Sequence, residues 1–76
     1  MTQETLTSSK SMVITTARHG SVSMDTTTNH AAKILASHRD IPVKEWFSEA
    51  IDHYPDNQKA LAIRRYVASA VVELLG

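Results

Sequence analysis

Glu45 and Glu49 lie four residues apart, a spacing that sets two carboxylates on one helix face, where they could divide acid and base work. That chemistry also needs a nucleophile with its base, or a glycine-rich loop that cradles phosphate. Neither accompanies the pair, so the expectation is surface charge and not an enzyme. The histidines His19, His30, His38 and His53 offer imidazole ligands. His30 and His38 are two helical turns apart, too far for one ion, and the absence of cysteine excludes disulfides and thiolate metal sites. No metal and no cofactor are expected.

Two groupings of basic residues stand out. Lys10, Arg18 and His19 against Glu4 leave the first two dozen residues mildly basic, while Lys59, Arg64 and Arg65 cluster beside Tyr66. The second group is expected to be a solvated helix face, with phosphate contact or pairing to Glu73 as the sharper alternative. Across the chain, 8 Lys and Arg balance 8 Asp and Glu. Neutrality counts against tight non-specific binding to a polyanion, yet it leaves room for a small, locally basic reading surface. Trp46, the single tryptophan, is expected to pack against a later helix or a partner chain.

The elements that must hold these groups follow from period and punctuation. Residues 1–11 are rich in Thr and Ser and read as a flexible tail. Met12 to Thr16 has β-branched character, Ala17-Arg18-His19-Gly20 breaks it, and Ser21-Val22-Ser23-Met24 alternates with period two as a short strand. Asp25 is placed to cap a first helix from Thr26 to Arg39, with Thr28, Ala32, Leu35 and Ala36 on one stripe. Pro42 marks a boundary, and a second helix runs from about Val43 to His53 with Phe47, Ala50, Ile51 and Tyr54 as its stripe. A third helix, about Gln58 to Leu75, starts on Asp56 or Asn57 and carries Ala60, Ile63, Val67, Ala70, Val71, Leu74 and Leu75 on a broad apolar face.

A chain of 76 residues buries only about 60% of its unfolded surface, so it gains most from partner chains. No apolar run approaches the ~20 residues of a membrane span, and the first residues lack the pattern of a secretory signal. A cytoplasmic protein is the expectation.

In order and register, Gly20 to Tyr54 resembles the ribbon-helix-helix family of repressors and plasmid-maintenance proteins. The carriers are Ser21-Val22-Ser23-Met24-Asp25, then Ala32 and Leu35, then Asp40-Ile41-Pro42-Val43-Lys44-Glu45, then Phe47-x-x-Ala50-Ile51, and they fit without a gap. Asp40 stands where the family has a left-handed glycine, and Pro42 where it has a capping Ser or Thr. The resemblance implies a mainly α fold with one short strand and an intertwined homodimer over residues 12–54; the additional C-terminal helix over 55–76 lies beyond it and is expected to extend the dimer core or drive tetramer formation. It implies that two copies of the strand form a ribbon in the major groove of DNA, with His19, Ser21 and Ser23 reading bases. Arg18, Val43 and Lys44 would meet phosphate. Val22, Met24, Ala32, Leu35, Ile41, Phe47, Ala50 and Ile51 would form the dimer core.

The expected function is that of a sequence-specific transcriptional repressor or a plasmid or phage regulatory protein. Two alternatives stand beside it: an antitoxin whose C-terminal segment blocks a toxin, and an all-helical interaction module without DNA contact. A helix-turn-helix over Ala32 to Ile51 would instead send the second helix into the groove.

Overall fold

The computed structural model describes residues 11–76, so all but the last residue of the expected N-terminal tail lies outside the described residues. Five elements follow in order: β1 (Ser11–Thr15), β2 (Ser21–Asp25), α1 (Thr26–His38), α2 (Val43–His53) and α3 (Lys59–Leu75). The mainly helical character and the three helices match the sequence reading. The sheet differs, because it has two strands and both come from one chain.

β1 and β2 pair antiparallel in the register Ser11↔Asp25, Met12↔Met24, Val13↔Ser23, Ile14↔Val22 and Thr15↔Ser21. The strand expected to pair with its own copy is thus paired along its whole length with the stretch read only as β-branched. The cause is the chain reversal at residues 16–20. Gly20 takes φ 75°, a conformation open to glycine. Its carbonyl accepts from both the amide and the hydroxyl of Thr16, each at 2.9 Å, and the His19 amide donates to that hydroxyl at 2.7 Å. This closed turn lays Ser11–Thr15 alongside Ser21–Asp25.

Period-two alternation then sorts the ribbon into two faces. Ile14, Val22 and Met24 point inward and are buried, with Met12 packed against them. Asp25 leaves the sheet and caps α1: its carboxylate accepts from the Thr28 amide at 2.9 Å.

α1 ends in a Schellman motif. The Ile41 amide reaches back to the Ala36 carbonyl (3.1 Å) and the Asp40 amide to that of Ser37 (3.0 Å), which requires Asp40 to turn left-handed at φ 61°. Pro42 then starts α2 in extended geometry without any side-chain cap. The cap of α3 is Gln58, not Asp56 or Asn57, and it likewise makes no side-chain hydrogen bond. Tyr54 to Asn57 form a turn instead, closed by the Asn57 amide on the Tyr54 carbonyl at 3.1 Å, which delays the helix.

The core lies between the ribbon and the three helices. Ala32, Leu35, Phe47, Ala50 and Ile51 are buried as the stripes required, and Ile41 is half-buried. Trp46 is almost fully buried, its ring 5.0 Å from that of Tyr66 on α3. α3 inserts Ala62 and Ile63 into the same core, so the side chains assigned to a dimer core close around one another within one chain. The apolar face expected of α3 is only partly used. Val71, Leu74 and Leu75 are exposed, because the last turns of the helix run past the residues that cover Ile63.

Candidate nucleic-acid interface

The outward face of the ribbon carries Ser11, Val13, Thr15, Ser21 and Ser23, all exposed. Four hydroxyls surround one valine, which is 70% exposed although β-branched and central in its strand. Hydroxyls donate to or accept from any base edge, and an aliphatic group packs on the thymine methyl. A two-stranded ribbon has the width that the major groove admits. Ser21 and Ser23 therefore lie where the alternation put them. Ser11, Val13 and Thr15 are absent from the sequence-based set, though two β-branched or alternating runs separated by a Gly-ended turn are the signature of a hairpin.

His19 does not join this face. The strand begins only at Ser21, so alternation does not extend back through Gly20. The imidazole lies in the turn instead, with Nε2 2.8 Å from the Asp52 carboxylate on α2.

The turn is fastened to α2 by further contacts. The Ala17 amide donates to the Lys44 carbonyl (3.2 Å) and the Arg18 amide to the buried Ser48 hydroxyl (2.9 Å). The Arg18 guanidinium forks between Glu45 at 3.0 Å and Asp52 at 2.9 Å. These contacts unite Arg18 and Lys44, two of the expected phosphate residues, at one end of the ribbon. They also neutralise Arg18. The Arg18 fork, followed by His19, holds the Asp52 carboxyl below its ordinary range. Lys44 is exposed at the first turn of α2, while Val43 is half-buried and offers its backbone only.

The paired carboxylates of the sequence reading part company. Glu45 faces Arg18, whereas Glu49 binds Arg39 and the Tyr66 hydroxyl. Arg39 above all, then Tyr66, depresses the Glu49 carboxyl; burial, then Glu49, raises the Tyr66 phenol. This network lines a groove of about 490 Å³ between the helices, with Trp46 and His53 in its wall.

The basic cluster on α3 disperses as well. Lys59 donates to the His19 carbonyl at 2.7 Å, Arg64 reaches Asp25 at 3.2 Å, and Arg65 lies over the Tyr54 ring at 6.0 Å. The described residues contain no cluster of His, Asp or Glu that could hold a metal ion, and no helix among them is long and apolar enough to cross a membrane. No protein-family model, curated protein or solved structure matches the chain.

Proposed function

We propose that this chain is a sequence-specific DNA-binding protein of the ribbon-helix-helix kind, acting as a repressor or a plasmid or phage regulatory protein. The ribbon that enters the major groove is completed within one chain. The observation that carries this reading is the outward ribbon face, where Ser11, Thr15, Ser21 and Ser23 surround the exposed Val13. A hydroxyl-rich, uncharged surface on a two-stranded ribbon suits base edges.

Support comes from the junction after α1. The left-handed residue of the family falls on Asp40, whose φ of 61° gives the chain the backbone that glycine provides elsewhere. Phosphate contact then rests on Lys44 and the uncapped start of α2, where amides and the positive end of the helix dipole attract anions. With Arg18 engaged by Glu45 and Asp52, affinity depends little on counterion release.

The test is selection of bound duplexes from a randomised DNA library, followed by affinity measurement on the winner. Enrichment of one motif, with affinity lost in the Ser21→Ala/Ser23→Ala double variant, is the expected result. A library that yields no motif over several rounds contradicts the reading. Undiminished affinity in that variant, with specificity lost in Lys44→Ala, favours the helix-turn-helix mode.

A further inference from the structure

α3 has two faces. Ala62 and Ile63 are buried, and Tyr66 and Ala70 lie half-buried on the same side. At about 100° per residue, Leu61, Ala68 and Leu75 fall within about 40° of one another on the opposite side. Their spacing of seven is that of a coiled-coil seam. Val71 and Val72 flank the C-terminal half of this stripe, and Arg64 and Arg65 flank its N-terminal half. Leu75 is 84% exposed, Val72 67% and Leu61 42%, which is unusual for a continuous line of aliphatic side chains on one helix.

The pattern is complementary to itself when reversed. With Ala68 on a twofold axis, Leu61 of one copy meets Leu75 of the other, Arg64 meets Val72, and Arg65 meets Val71. Ala68 is small enough to let the axes approach to the short end of the usual range, about 8–10 Å. The charges agree with this direction. Each pair of arginines comes alongside the last turns of the other helix, where the carbonyl end carries partial negative charge, while Arg64 keeps its contact with Asp25 of its own chain. A parallel pair would place four arginines together. The formal charge of zero leaves no long-range repulsion between copies.

We infer that the outward stripe of α3 is a homodimer interface in which two copies pack their third helices antiparallel across Ala68. This surface is separate from the ribbon, so two outward ribbon faces would be related by the same axis. The inference does not depend on the DNA reading.

The chain has no cysteine, so Ala68→Cys supplies a single thiol on the axis. Under mild oxidation this variant should cross-link nearly completely to a species of twice 8.4 kDa, whereas Ser37→Cys, exposed on α1, should remain uncross-linked. Sedimentation equilibrium should give a dimer for the unmodified chain, and a monomer with an unchanged circular dichroism spectrum for Ala68→Arg. A parent chain that stays monomeric at about 200 µM, well above the micromolar dissociation constants of specific dimers, overturns the inference. A dimer that survives Ala68→Arg, or equal cross-linking at both thiols, does so as well. Because mass and cross-linking need no DNA, their outcome is independent of the selection experiment.

Discussion

Val13 stands directly across from Ser23 in the ribbon, and both side chains point away from the core. A valine in that position, 70% exposed, contributes little to packing within the chain, and its methyl groups are available to an external surface. Val13→Thr should preserve the fold and shift base preference at one position of the selected motif. Val13→Glu should cut DNA affinity by at least tenfold, by setting a negative charge against the nucleic acid. Melting temperature and affinity on the selected duplex check both effects. Equal losses of stability and affinity would contradict this assignment.

Asp40 carries a positive φ in the Schellman motif that ends α1. Asp40→Ile should destabilise the protein by about 1–2 kcal/mol, since a β-branched side chain fits the left-handed region poorly. Asp40→Gly should be neutral or stabilising, by up to about 1 kcal/mol. Urea unfolding gives both values from the shift in midpoint at constant slope.

Met24 is 2% exposed and lies among residues of its own chain. Met24→Lys should therefore unfold the chain itself, not merely separate two copies, because a buried ammonium costs several kcal/mol. Loss of the helical circular dichroism signal at room temperature is the expected result. A Met24→Lys variant that stays folded as a monomer would show that the ribbon is not part of the single-chain core.

Besides the exposed Asp52, the depressed carboxyls of Asp25 and Glu49 give stability a definite pH dependence. The Thr28 backbone amide is the largest influence lowering Asp25, while Arg39 is the largest lowering Glu49. Their folded values lie below the unfolded ones, about 3.9 for Asp and about 4.3 for Glu. The stabilisation is therefore complete above about pH 5 and is lost as pH falls through the folded values. Melting temperature should drop below about pH 4 as these two carboxylates take up protons. Asp25→Ala should lower stability at neutral pH by about 1 kcal/mol and make the acid limb shallower.

The helices were legible because Thr28, Ala32, Leu35 and Ala36, and likewise Phe47, Ala50 and Ile51, repeat at helical spacing. Asp25 and Pro42 also punctuate the chain where α1 and α2 begin. Ser21 and Ser23 were legible from alternation alone. The partner of β2 was signalled only by the Gly-ended break between two runs of β character, a hairpin pattern that alternation within either run does not reveal. That choice is made by the Thr16–Gly20 turn, whose hydroxyl contacts leave no periodic trace. The roles of Arg18 and His19 were hidden for a related reason. Their partners Glu45, Ser48 and Asp52 are about 30 residues away and meet them only when the turn docks on α2.

The proposed contact of the ribbon with DNA is tested most directly by amide-resolved NMR titration with the selected duplex. Shifts concentrated at Ser11–Thr15 and Ser21–Ser23, with a second group at Lys44, are the predicted result. Shifts confined to α2 and the groove beside Trp46, with the ribbon amides unmoved, would contradict it.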